Sequence, residues 1–273
     1  MKPQFHLPLT TFPDPSSFTV LQNAITFARN QSADLNVTIA TVKIPNAHSA
    51  FPHVLDIAKM SADAESISRD NAEFLAQAVR NYADTAGIGA TISYVEASEP
   101  QIGETLSRRA RIYDCSIMEA VPTARSFLES ILFDSGRPVI LYPSETSCGR
   151  VDVIAIAWDG SATLARALSG ARPFLEQSPK IVLISVIDDK VIDEDLHDRF
   201  AAALRKTGLS VEVAKRRADG ELAATVLQGV AKEYRADLLI AGGYGHSRLK
   251  ERLLGGVTQT FLAGPEIPML LAH

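Results

Sequence analysis

The chain says the same thing twice, and that self-similarity constrains its fold more than any single motif. In the second half an apolar run at 151–157 leads into the turn Trp158-Asp159-Gly160-Ser161. A helical stretch over 163–175 and a strand over 180–187 follow. Next come a polar helix at 193–206, a strand at 209–214, a helix at 220–234 and a strand at 237–241. A glycine-rich turn and a last strand at 269–272 close the order. The first half runs through the same sequence: strand 5–9, helix 17–30, strand 35–43, a longer helix 60–86, strand 90–96, helix 100–111, and strands 114–120 and 138–142. Local wording agrees too, with Leu35-Asn36-Val37-Thr38-Ile39 against Lys180-Ile181-Val182-Leu183-Ile184, and Pro138-Val139-Ile140-Leu141 against Pro268-Met269-Leu270-Leu271.

Short buried strands separated by helices require parallel strands joined by right-handed crossovers, with helices on both faces. The fold class expected is therefore α/β, as two tandem doubly wound parallel five-stranded sheets of Rossmann-like type. The domains are placed at 1–145 and 150–273, with the polar stretch 143–149 as linker and the boundary near Cys148. Ligands of such sheets bind outside the carboxyl ends of the strands, where the strand order reverses.

Composition narrows the partners. Of 273 residues, 46% are hydrophobic and 22% charged, which suits a chain able to bury a full core. A net charge of −5 with no Lys/Arg-rich run leaves no footprint for a phosphate backbone, so nucleic acid is not expected. The segment Met1-Lys2-Pro3-Gln4-Phe5-His6 lacks a secretory pattern, and no apolar run approaches the roughly 20 residues of a membrane helix. These features predict a cytoplasmic protein with no membrane partner. The two cysteines, Cys115 and Cys148, form no CxxC pair, so neither a disulfide nor a structural metal is expected.

The richest local signal is Ala241-Gly242-Gly243-Tyr244-Gly245-His246-Ser247-Arg248, directly after an apolar strand. Glycines there let backbone N–H groups converge on an anion with no Cβ in the way. Gly255-Gly256-Val257-Thr258 follows, where another helix can begin and add its own N–H groups and a hydroxyl. The first half has no counterpart: 114–120 is followed by Val121-Pro122-Thr123-Ala124-Arg125-Ser126, without glycine before Gly136. Asp14 is the residue there that corresponds to Asp159 or serves as a turn residue between prolines. Asp188, Asp189, Asp193, Glu194 and Asp195 offer carboxylates for magnesium, although a solvated face near a helix start accounts for them better. His48 and His53 lack a third ligand of fitting spacing.

The Gly242-x2-Gly245-x9-Gly255 spacing resembles the nucleotide-binding pattern of the universal stress protein family. The resemblance covers both halves in element order and is motif-specific only in the second, so it implies one site per chain, in a degenerate-plus-intact tandem. It implies that Asp159, preceded by Ala157 and Trp158, contacts a nucleoside, and that Val186 presents its backbone to adenine. It implies further that Gly242 and Gly245 surround ribose and phosphates, with Gly255, Gly256, Val257 and Thr258 completing the phosphate contacts. The cofactor implied is ATP or a related adenine nucleotide, with magnesium as its companion ion, in a stress-response or regulatory role. One departure is Gly256, where the family usually carries Ser or Thr; the lost hydroxyl is worth on the order of 1 kcal/mol.

No catalytic residue is assigned. A P-loop lysine, a Gly-x-Ser-x-Gly elbow and a Cys/His nucleophile pair are all missing from the sequence, and slow ATP hydrolysis is known in some relatives. The alternative is an interaction or assembly module with a decayed site. Relatives with one domain pair through their last strands, so the resemblance also implies an intramolecular pseudo-dimer through 138–142 and 268–272, with a homodimer of whole chains left open. An adenine-nucleotide enzyme such as an ATP pyrophosphatase ranks last, since no Ser-Gly-Gly-x-Asp-Ser loop follows either first strand.

Overall fold

A computed structural model describes residues 2–45, 56–144, 149–189, 192–243 and 256–273. Its N-terminal half runs β1 (Gln4–Thr10), α1 (Phe18–Asn30), β2 (Asp34–Val42), α2 (Ile57–Ala86), β3 (Ala90–Ala97), α3 (Glu99–Ala110), β4 (Cys115–Glu119), α4 (Arg125–Asp134) and β5 (Val139–Tyr142). The C-terminal half runs β6 (Val153–Ala157), α5 (Ala162–Gln177), β7 (Lys180–Val186), α6 (Glu194–Lys206), β8 (Ser210–Arg216), α7 (Ala223–Glu233), β9 (Leu238–Gly242), α8 (Gly256–Ala263) and β10 (Met269–Ala272).

Local chemistry sets many of the boundaries. Ser17, Ser161 and Asp193 cap α1, α5 and α6, each side chain accepting a hydrogen bond from an N–H in the first turn. The long helix α2 stops at Gly87, whose φ of 70° a residue with a Cβ adopts only under strain. In α6, Glu194 and Asp195 open the helix and Arg205 and Lys206 close it, matching charge to the helix dipole. Helix α4 lies in the segment 121–137, for which the apolar runs of the first half predict no element. Its buried Phe127, Leu128, Ile131 and Leu132 form one helical face.

The ten strands of the described residues form one sheet, in the order β3-β2-β1-β4-β5-β10-β9-β6-β7-β8. Neighbours pair in parallel except β5 and β10, which are antiparallel, with Met269 opposite Leu141, Leu270 opposite Ile140 and Leu271 opposite Val139. The expected pair of five-stranded sheets is thus a single continuous sheet whose halves are fused edge to edge. Helices α1, α2, α5 and α6 cover one face and α3, α4, α7 and α8 the other. On the first face the core crosses the junction: the Phe174 ring of α5 lies 6.0 Å from Phe5 and 5.4 Å from Phe27. The outer strands β3 and β8 carry exposed polar residues such as Thr91, Glu96, Glu212 and Lys215, which discourages further strand addition.

Each half reverses its strand order between its first and fourth strands, at β1/β4 and at β6/β9. A cavity opens at the carboxyl ends of each of these pairs.

Candidate functional site

The C-terminal cavity, about 580 Å³ including its open mouth, is bounded by three strand ends and two helices. Ala157 comes from the end of β6, Val186 from the end of β7, and Ala241 and Gly242 from the end of β9. Ala223 and Leu227 on α7 and Val257, Thr258 and Phe261 on α8 close the other side, and Trp158, Asp159, Asp189 and Ile192 complete the wall. Of the residues expected at a ligand from sequence, Ala157, Asp159, Val186, Gly242, Val257 and Thr258 therefore share one cavity. Gly256 opens α8 beside them, outside the lining. Gly245 and Gly255, together with His246 and Arg248, lie outside the described residues, as do His48, His53 and Cys148.

Gly242 is glycine for a packing reason. A Cβ there would stand 2.5 Å from Thr163 Oγ1 and 2.7 Å from the Leu164 backbone nitrogen, so the strand end could not rest against the first turn of α5. The approach brings β9 close to the Ser161 cap, whose Oγ accepts from Leu164 N–H at 3.1 Å. Asp159 braces the turn before it: its Oδ1 accepts from Ser161 N–H at 2.9 Å. Trp158 is buried at 8% exposure, stacked on Phe200 at 4.7 Å. Packing thus fixes its ring while one part of the residue still lines the cavity.

The acidic run beside the cavity is largely committed. The Asp188 carboxylate accepts from the N–H groups of Ala218 (2.6 Å) and Asp219 (3.1 Å), bonds that hold its pKa below the ordinary carboxylate value, with Ala218 the larger influence. Asp193 caps α6, Glu194 pairs with Lys215 and Asp195 with Arg199. Among the described residues no three His, Cys, Asp or Glu side chains cluster as metal ligands. Nor does any described helix have the length and apolarity to cross a membrane.

The model of the universal stress protein family matches residues 150–273, the stretch that builds this cavity. The C-terminal half is a universal stress protein domain. Solved structures extend the likeness of fold to nearly the whole chain. A universal stress protein from Archaeoglobus fulgidus DSM 4304 superposes with a TM-score of 0.71 at 18% identity, covering 98% of this chain and 95% of its own. A functionally unknown protein from Pseudomonas aeruginosa PAO1 reaches a TM-score of 0.52 at 15% identity, over 98% and 92% of the two chains. No curated protein sequence matches the chain.

The register of the strands shows how the other half departs from the universal stress protein domain. Gly242 lies opposite Ala272 of β10, and Glu119 lies opposite Tyr142 of β5, so the two residues hold equivalent places at the ends of β9 and β4. In the domain the link 158–161 brings the helix start against the strand end. In the N-terminal half the longer link 11–17 lets the Glu119 side chain stand between them, with Oε2 accepting from the Ser17 hydroxyl at 2.6 Å. Burial pushes the Glu119 carboxyl above the ordinary range, and the bond from Ser17 partly opposes that rise. By the same register Thr10, not Asp14, takes the place of Asp159; Asp14 sits farther along the link at the cavity's exposed rim.

The sequence reading missed Ala223, Leu227 and Phe261 as lining residues and Glu119 as the occupant of the N-terminal position. For Glu119 the signal was present, as an acidic residue ending the apolar strand Cys115–Glu119.

Proposed function

We propose that the C-terminal domain binds ATP or another adenine nucleotide and serves a stress-response or regulatory role without catalysis. One observation carries this reading: Ala157, Asp159, Val186, Gly242, Val257 and Thr258, chosen from sequence and far apart along it, converge on a single cavity at the β6/β9 switch point. The lining suits the ligand class. Ala223, Leu227, Val186 and Phe261 offer apolar surface for a base, Asp159 and Thr258 offer polar groups, and α8 presents its first turn. Among the described residues Asp159 and Asp189 are the carboxylates of the wall, so a magnesium ion would be held mainly by the nucleotide's phosphates.

Isothermal titration of the full chain with ATP, ADP and AMP tests the proposal. Saturable binding is expected for the wild type, with Ala223→Phe abolishing it by filling the base wall and Asp159→Ala weakening it by about tenfold. A nucleotide present at a hundred times its Kd should raise stability by about 2.7 kcal/mol, visible as an upward shift in Tm. If the wild type takes up no adenine nucleotide at millimolar concentration, the reading fails and the assembly-module alternative stands. Binding that survives both substitutions places the nucleotide elsewhere.

A further inference from the structure

The N-terminal cavity, about 650 Å³ including its open mouth, is not a blurred copy of the C-terminal one. Its wall is apolar along Val20, Leu106, Met118 and Phe127, and among the described residues the ionisable groups of that wall are two acids, Glu119 and Asp14. No lysine or arginine is among the described residues that line it. Glu119 is 7% exposed, and its hydrogen bond from Ser17 occupies only Oε2. The second oxygen, Oε1, has no hydrogen-bond donor among the described residues and stays accessible at the cavity wall, where a ligand can reach it. A carboxylate so little exposed is stabilised when a donor inside the cavity meets its remaining lone pairs. The carboxylate also occupies the α1 helix start, the place at which an anionic ligand would otherwise be attracted.

We propose that this cavity is a second ligand site, selective for a small organic cation with an apolar body, in which the Glu119 carboxylate is the counter-ion and Val20, Leu106, Met118 and Phe127 hold the body. An ammonium group supplies the donors that Oε1 lacks, and its charge matches an acidic wall. Asp14 at the rim adds attraction as the cation enters. Phosphorylated ligands are repelled here by the same carboxylate.

Ligand-observed NMR titration of the full chain at pH 8 tests this with three probes that share a phenylethyl body: 2-phenylethylamine, 2-phenylethanol and 3-phenylpropanoate. The amine should bind at least about tenfold more tightly than the alcohol, as for one charge-assisted hydrogen bond, and the carboxylate more weakly still. Glu119→Gln, which retains an acceptor for Ser17, should erase the preference for the amine. Val121→Trp at the cavity wall should weaken all three, whereas Asp159→Ala in the other half should leave the amine titration unchanged. No binding of the amine, equal binding of amine and alcohol, a preference that persists in Glu119→Gln, or loss of amine binding in Asp159→Ala would each overturn the proposal.

Discussion

His6 shows how far a single buried residue can govern the response of this protein to pH. It is fully buried on β1, with Nδ1 3.1 Å from Ser116 Oγ and Nε2 3.0 Å from Thr38 Oγ1, stacked on Tyr113. Both ring nitrogens are satisfied by hydroxyls that adapt to a neutral imidazole. Burial, reinforced by the charge of Arg109, lowers its pKa from 6.5 to about 3. The unfolded chain therefore binds a proton that the folded chain refuses between those values. Stability from His6 is full above pH 6.5 and declines as pH falls toward 3, by up to about 1.4 kcal/mol per pH unit. Urea unfolding at pH 7.0, 5.5 and 4.5 should show a shallower loss of stability in His6→Gln than in the wild type; identical slopes would mean that His6 is protonated within the fold. At this scale the sequence was informative where backbone chemistry is local. Gly242 stood out as part of a glycine-rich strand end able to turn N–H groups toward an anion, and packing adds a second reason for glycine there, since a Cβ would meet Thr163 and the Leu164 backbone. Ala223 and Leu227 did not stand out, since their apolar spacing on α7 is that of any core-facing helix and only packing decides that they border a cavity.

At the scale of elements, the junction between β5 and β10 joins the halves. Ile140 and Leu270 face each other across it and both are fully buried. Each truncation to alanine should cost about 2–5 kcal/mol. Because the side chains are cross-strand neighbours, the double variant should depart from additivity by about 0.5–3 kcal/mol. Denaturant melts of the four proteins in the cycle measure this, and strict additivity would show that the junction is not an energetic unit. A second contact belongs to the same junction: a Cβ on Gly170 of α5 would stand 2.7 Å from Pro138 Cγ, just before β5. Most elements were legible from periodicity. Helix α2 follows an amphipathic stretch ending at Gly87, and the strands follow apolar runs. Helix α4 is legible in the helical spacing of Phe127, Leu128, Ile131 and Leu132, although its ten residues make a shorter periodic stretch than those of α1 and α2.

At the scale of the molecule, the aromatic cluster of Phe5, Phe27 and Phe174 and the continuous sheet make one body from two repeats. Excising 149–273 would strip β10 of its partner and expose an apolar edge strand, Met269–Ala272. The excised half should therefore self-associate in analytical ultracentrifugation, with Leu271→Lys reducing that association. A strictly monomeric fragment would show that β10 needs no partner. The fusion also explains how one copy could change its cavity while keeping its structural place: β5 is needed at the junction whatever β4 presents to a ligand.

The repeated order of apolar runs was enough to establish alternating strands and helices, a parallel arrangement within each half, and a glycine-rich strand end in the second half alone. Those properties follow from side-chain periodicity and backbone sterics, which act over a few residues and are written along the chain. The merging of the two sheets, the equivalence of Glu119 with Gly242 and the shared cavity of residues as distant as Ala157 and Thr258 were decided by tertiary structure. Strand register and helix packing are long-range choices, settled by which apolar faces can be buried together, and no local stretch of sequence records that outcome.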